Sequence, residues 1–323
     1  MATLAARPVA AAPVAAAPDK SVPMRNPLLT RETPGTTRRA VLPSVGLRDR
    51  VEAEGPRPMS HKASVLVTGA SAGIGRELAM VFAAHGHDLV AVARSRDKLE
   101  SLAREAWEKH GRRCEVIAMD LTADGAPQRL FDEVSRLGLA VDVLVNNAGT
   151  GELMKFAEAD PSQIDQLLRL NVVALTHLTR LFLAPMVERG AGRVLNVASV
   201  AAFQPTPRLS VYGATKAFVL SLSEALSEEL SGSGVTVTAL CPGFVDTDLV
   251  HHMAEELGRP DFVPSFLMLD AADVAREGYE ACLRGDVVYI NGRSYELMVQ
   301  WLRLQPRWFV RTFTGFLARH YAD

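Results

Sequence analysis

The chain has 323 residues, 48% of them hydrophobic and 22% charged, with a formal net charge of −2. That size supports one large α/β domain with an appendage rather than two equal domains, and the near-neutral balance gives no electrostatic basis for a nucleic-acid partner. Three cysteines, Cys114, Cys241 and Cys282, lack paired or metal-ligand spacing, so a reduced, cytoplasmic protein without structural disulfides or zinc is expected, and no apolar run is expected to cross a bilayer.

Residues 1–60 are rich in Ala, Pro and Arg and lack any sustained period, which predicts a disordered extension. Two other readings stay open there. Arg7, Arg25, Arg31, Arg38 and Arg39 outnumber Asp19 and Glu32, as in a targeting peptide, although scarce serine and several prolines count against it. Alternatively, the natural start is Met59, just before the first strand.

From Ser64 onward, strand-like and helix-like stretches alternate. Val65–Gly75 reads as a strand, a tight turn and a helix entry. Leu89–Ala93 is a second strand, Lys98–His110 a helix, Glu115–Met119 a third strand, Pro127–Leu137 a helix and Val141–Val145 a fourth strand. One long helix is predicted over Pro161–Arg189, followed by a strand at Val194–Ala198, a helix at Tyr212–Leu230 and a strand at Val235–Leu240. A helix near Ala271–Leu283 and a strand at Val287–Ile290 close the pattern. Near-continuous apolar strands alternating with helices predict a doubly wound parallel sheet of Rossmann type, with ligands at the carboxyl ends of its strands. The domain is expected over residues 61–290.

The chemistry gathers at those strand ends. Gly69 permits a sharp turn, Gly73 a close approach of backbone to ligand, and Gly75 close packing of helix on strand, while the helix N-terminus suits a pyrophosphate. Arg94 stands after the second strand, where an acid would bind a ribose 2′-hydroxyl and an arginine a 2′-phosphate, so NADP(H) is preferred. Nearby Asp97 keeps NAD(H) open. Asp120, followed by Leu121, places a carboxylate near an adenine position, and Asn146, Asn147, Ala148 and Gly149 supply small residues and amides to the groove. Ser199 ends the fifth strand. Tyr212 and Lys216 lie one helical turn apart, about 6 Å along the axis, and an ammonium beside a phenol favours the phenolate. Tyr212 is thus a candidate acid and base, with Ser199 holding the substrate oxygen.

Thr68–Gly75, Asn146–Gly149, Ser199, Tyr212 with Lys216, and Pro242–Thr247 together resemble the short-chain dehydrogenase/reductase family, over about residues 62–290. The resemblance implies a single Rossmann-type domain that binds NAD(P)(H), with Gly69, Ser71, Gly73, Ile74 and Gly75 along the nucleotide. It implies Tyr212 as the catalytic acid/base, Lys216 on the nicotinamide ribose lowering the tyrosine pKa, and Ser199 orienting the substrate. Asn171 matches an asparagine that holds a water in a proton relay through Lys216. Pro242, Gly243 and Thr247 match the segment closing over the nicotinamide. One departure is Ala72, where relatives that use NADP often carry a basic residue, so the cofactor preference rests on Arg94.

Phe244–Leu269 is expected to wall the substrate without extending the sheet. Phe244, Phe262, Phe266, Leu267 and Met268 make it apolar, which predicts a lipophilic ketone, aldehyde or secondary alcohol. Residues 291–323 form an amphipathic stretch split by Pro306, with Trp301, Trp308, Phe309, Phe313 and Phe316 set among Arg303, Arg307, Arg311 and Arg319. Packing on its own domain or a subunit contact in a homo-oligomer is the preferred reading, with peripheral membrane contact or a cover for the active site as alternatives. A carbonyl reductase is the leading function. The alternative is a non-catalytic NAD(P)-binding sensor or scaffold, which the complete set of Ser199, Tyr212, Lys216 and Asn171 disfavours.

Overall fold

Alternate residues of the central strands feed two separate cores. Val65 and Val67 face one side with Leu89, Ala91, Val143 and Val145, while Leu66, Val90, Val92 and Leu144 face the other, all of them buried. A strand covered on both faces has no polar side to show, which is why these runs read as nearly continuous apolar sequence. The computed structural model describes residues 64–259 and 262–320, so the expectations for residues 1–60 lie outside the described residues.

The strands are β1 Ser64–Thr68, β2 Asp88–Ala93, β3 Cys114–Ala118, β4 Val141–Asn146, β5 Gly192–Val197, β6 Val235–Cys241 and β7 Val288–Ile290. They pair in parallel in the order β3-β2-β1-β4-β5-β6-β7. The order reverses between β1 and β4, and this switch point opens a crevice at the carboxyl ends of the strands. Helices α1 Gly73–Ala84, α2 Arg96–His110 and α8 Ala271–Arg284 cover one face. The other is covered by α3 Ala126–Arg136, α5 Leu175–Arg189 and α6 Ser210–Glu229, with α4 Pro161–Leu168 packed against α6. A short helix, α7 Asp248–Glu256, stands in the expected substrate wall, and Val245 makes an isolated parallel bridge to Leu269.

Two expectations need correction. The helix expected as uninterrupted over Pro161–Arg189 contains a π-helical turn at Arg169–Ala174, joining α4 to α5. A 3.6-residue pattern hardly registers one extra residue per turn, so the periodicity hides it. This same 29-residue helix is long and apolar enough to cross a membrane by length and composition, contrary to the expectation that no run is. Its apolar character serves the core instead, through Leu178, Phe182 and Met186 against the sheet.

The C-terminal stretch forms α9 Arg293–Leu304 and α10 Arg307–His320, divided at Pro306 as expected for a residue that cannot continue the hydrogen-bond ladder. Helix α9 buries Tyr295, Val299 and Leu302, and Tyr295 and Val299 pack on Val200 of the main body.

Candidate active site

The glycine turn is held from the neighbouring strand. Thr68 Oγ1 donates to the Val145 carbonyl at 3.2 Å and accepts from the amides of Asn147 and Ala148, both at 3.0 Å. Asn147 Nδ2 then donates back to the carbonyls of Thr68 and Gly69 at 3.0 and 3.3 Å. Gly69 has φ +69°, and a side chain on Gly75 would run into the Gly69 carbonyl and the Asn147 amide. Both positions therefore exclude a Cβ. Gly73, with φ +54°, lies against Thr247, which brings the Pro242–Thr247 segment over the turn.

The residue before α1, Ala72, offers no side-chain cap, and the helix has no acid in its first turn. Its leading N–H groups and positive dipole end are left for an anion from outside the helix. This cradle fits the pyrophosphate of a dinucleotide. Arg94 is exposed at the end of β2 and helps hold the Asp120 carboxyl below its ordinary range, an effect due first to hydrogen bonds from Thr122. Asp120 Oδ1 takes both the amide and the hydroxyl of Thr122, at 2.9 and 2.8 Å, and Leu121 is buried beside it.

At the next strand ends, Ser199, Tyr212 and Lys216 come together. Ser199 caps a short 3₁₀ turn through its hydroxyl, which accepts from the Ala201 amide at 3.1 Å, and its side chain lies 3.4 Å from the Pro242 carbonyl. Tyr212 sits in the first turn of α6. Burial pushes its phenol above the ordinary tyrosine range, while a hydrogen bond with Ser199 pulls it back down. Lys216 is buried, donates to the Val197 carbonyl at 2.8 Å and is pushed down to about 8 by burial. Its Nζ lies 5.6 Å from the Tyr212 ring centroid. Burial is the largest influence on both groups and drives them toward their neutral forms.

Asn171 lies inside the π turn and is buried. Its Oδ1 accepts from the Thr150 amide at 3.0 Å, and its Nδ2 donates to the Thr150 carbonyl at 2.8 Å and lies 3.1 Å from Thr215 Oγ1. Thr215 in turn donates to the Tyr212 carbonyl at 2.7 Å. Gly149 is packed so tightly that a Cβ there would meet Asn171 Oδ1 at 3.3 Å and Lys216 Nζ at 3.5 Å. One at Gly151 would meet the Tyr212 ring at 2.8 Å and Met253 of α7 at 3.2 Å. Arg208, in the loop before α6, has φ +68°, and its carbonyl takes the Met154 amide at 2.7 Å.

The order β3-β2-β1-β4-β5-β6-β7, the glycine cradle at the switch point and the Ser199–Tyr212–Lys216 cluster coincide with a family-model match, "short chain dehydrogenase", over residues 63–258. The chain belongs to the short-chain dehydrogenase family. A very-long-chain 3-oxoacyl-CoA reductase of Rattus norvegicus is 32% identical over 260 residues, covering 78% of each chain. A short-chain dehydrogenase of Sphingobium yanoikuyae solved in complex with NADPH is 32% identical with a TM-score of 0.67, covering 75% of this chain and 93% of that one. A bulky-bulky ketone specific alcohol dehydrogenase of Comamonas testosteroni is 31% identical with a TM-score of 0.63, covering 75% and 92%.

Within this short-chain dehydrogenase, Pro242, Gly243 and Phe244 meet a residue that the sequence left unmarked. The Tyr295 ring of α9 occupies the space where a Gly243 side chain would be. Its hydroxyl accepts from the Phe244 amide at 3.1 Å and donates to the Leu267 carbonyl at 2.7 Å. A second unmarked feature is a buried polar chain under the site. Asn146 Nδ2 donates to Thr179 Oγ1 and Asn196 Oδ1, each at 2.9 Å, and Asn196 Nδ2 donates to Ser223 Oγ at 2.9 Å. It ties β4 and β5 to α5 and α6. Phe266, expected in the substrate wall, is 79% exposed, whereas Phe244 and Phe262 meet edge to face at 5.7 Å.

Proposed function

We propose that this chain is an NADP(H)-dependent oxidoreductase that reduces a lipophilic ketone or aldehyde to the alcohol. The observation that carries the reading is the joining of the Ser199 and Tyr212 hydroxyls beside buried Lys216, at the strand ends next to an uncapped, glycine-lined helix N-terminus. Two hydroxyl donors on one side of a carbonyl oxygen orient it and stabilise the negative charge that develops there. Bound NADPH supplies the hydride to the carbonyl carbon.

Tyr212 holds the proton that the carbonyl oxygen receives, since burial keeps its phenol protonated at neutral pH. Ser199 donates to that same oxygen. Lys216 binds the nicotinamide ribose and, once its ammonium is engaged there, returns a proton toward Tyr212. Asn171 keeps the Gly149–Gly151 loop and the Tyr212 backbone in register through Thr150 and Thr215. Gly69, Ser71, Gly73, Ile74 and Gly75 take the pyrophosphate, and Arg94 takes the 2′-phosphate. Asn147 acts by bracing that turn.

Support for a lipophilic substrate comes from the Phe244–Phe262 pair and from Met253, which like the Tyr212 ring packs against Gly151. The bulky-ketone and very-long-chain relatives point the same way. A reducing, cytoplasmic setting belongs to the same reading, since Cys114, Cys241 and Cys282 lack paired spacing in the sequence.

The test is NADPH oxidation against a panel of short hydrophilic and bulky lipophilic carbonyls, with Tyr212→Phe as control. Turnover of the bulky members, falling about 10²–10⁴-fold in the variant, is the expected result. Equal turnover of both classes removes the lipophilic assignment, and an active Tyr212→Phe protein removes the mechanism.

A further inference from the structure

Helices α9 and α10 present two opposite faces. The inner one is committed: Tyr295, Val299 and Leu302 of α9 and Val310 of α10 are buried. The outer one is apolar and uncovered among the described residues. Leu297, Trp301 and Leu304, spaced i, i+4, i+7 on α9, are 67%, 45% and 82% exposed, and Trp308 at the start of α10 is 63% exposed. Trp301 packs edge-on to Phe309 and Phe313, with ring centroids 5.9 and 6.3 Å apart, so the two helices share one continuous aromatic surface. Isolated exposed apolar residues are ordinary on a soluble protein; a connected surface of this kind marks a contact.

Charge decides what the contact is. Residues 293–320 hold five arginines, Arg293, Arg303, Arg307, Arg311 and Arg319, against one acid, Glu296, although the whole chain carries −2. No carboxylate partner is found for any of the five among the described residues, and the Arg303 guanidinium lies instead over the Phe203 ring, 5.0 Å from its centroid. Two copies meeting through this surface would bring like charges together. A surface of tryptophan, leucine and phenylalanine edged by arginine with no carboxylate partner among the described residues suits an interface that is apolar below and anionic above, with tryptophan at the boundary.

We propose that the outer face of α9 and α10 docks the protein on an anionic lipid bilayer, lying in the headgroup region without spanning it. The Tyr295 hydroxyl ties this same α9 to Phe244 and Leu267, so docking sets the apolar wall of the active site toward the lipid. The docking itself does not depend on which carbonyl is reduced.

The experiment is flotation of the full chain with vesicles of equal parts phosphatidylcholine and phosphatidylglycerol, beside vesicles of phosphatidylcholine alone. Binding to the anionic vesicles, much weaker binding to the neutral ones, and release on raising salt from about 0.1 M to about 1 M are expected. Each arginine near the surface contributes about fivefold in affinity, so the double variant Arg307→Glu/Arg311→Glu is expected to lose at least about 25-fold. Leu304→Ser/Trp308→Ser is expected to abolish flotation, with thermal melting showing that both variants stay folded. Quenching of tryptophan fluorescence by brominated lipid, lost in Trp308→Phe/Trp301→Phe but retained in Trp107→Phe, is a second readout that needs no polar substitution. Absence of flotation overturns the proposal, as does flotation that both double variants retain. A fall in oligomeric state in the Leu304→Ser/Trp308→Ser protein, without lipid binding by the wild type, assigns the surface to a second copy and also overturns it.

Discussion

Lys216 reaches past Tyr212: its Nζ lies 5.6 Å from the ring centroid and gives its hydrogen bond to the Val197 carbonyl at 2.8 Å. The two side chains share a helix face, and burial shifts each toward its uncharged form, the phenol above its ordinary range and the ammonium down to about 8. The cost of keeping that ammonium charged is built into the fold and has a measurable consequence.

In the unfolded chain Lys216 returns to its ordinary value of 10.5, against about 8 in the folded protein. Between these values the unfolded state binds more protons, so the contribution of Lys216 to stability rises with pH; below about 8 its full penalty is present. Urea unfolding of the nucleotide-free wild type and of Lys216→Met should show the wild type gaining about 2 kcal/mol on the variant between pH about 8 and about 9.5. The comparison cancels the tyrosines and cysteines, whose raised values act in the opposite direction. Parallel pH profiles for the two proteins would show that the ammonium is not held in a buried site.

Gly75 is a packing glycine. An alanine there drives its methyl into the Gly69 carbonyl and the Asn147 amide, and backbone cannot swing aside as a flexible side chain can. Gly75→Ala should lower unfolding free energy by about 1–3 kcal/mol and raise the dissociation constant for NADPH. Gly315→Ala in α10, where the nearest group is the flexible Arg319 side chain at 3.6 Å, should stabilise the protein by about 0.5–1 kcal/mol. Equal effects at the two positions would contradict the packing argument.

The strands are legible because burial on both faces leaves them apolar throughout, as in Val65–Val67 and Val143–Val145. The glycine turn is legible because Gly69 needs a positive φ. The π turn at Asn171 is not, since helical periodicity tolerates an inserted residue, nor is the Asn146–Asn196–Ser223 chain, since a lone asparagine in a strand looks like turn chemistry. Tyr295 is hidden because its partner Phe244 is 51 positions away and no local pattern links them.

The proposed preference for NADP(H) rests on Arg94 alone, because Ala72 puts no second cation in the turn. On that proposal, aspartate in its place would remove a charge-assisted hydrogen bond to a 2′-phosphate, worth about 1.5–3 kcal/mol, and add an acceptor suited to a 2′-hydroxyl. Arg94→Asp should therefore shift the ratio of kcat/KM for NADPH over NADH by at least about tenfold toward NADH. An unchanged ratio would remove Arg94 from the phosphate site.

Tyr295 ties the C-terminal helices to Phe244 and Leu267 in the proposed substrate wall. Phenylalanine at this position keeps the ring against Gly243 but leaves the Phe244 amide and the Leu267 carbonyl without their shared hydroxyl. An unpaired buried polar group costs about 1–3 kcal/mol, so Tyr295→Phe should lower stability by that order. The segment carrying Phe244 then loses its fixed distance from Leu267, which should raise KM for a bulky ketone several-fold while kcat, which the proposed mechanism assigns to Ser199 and Tyr212 on other elements, changes little. Steady-state kinetics beside urea unfolding separates the two effects. A loss of stability with an unaltered KM would make Tyr295 a prop for the fold with no hold on the substrate wall.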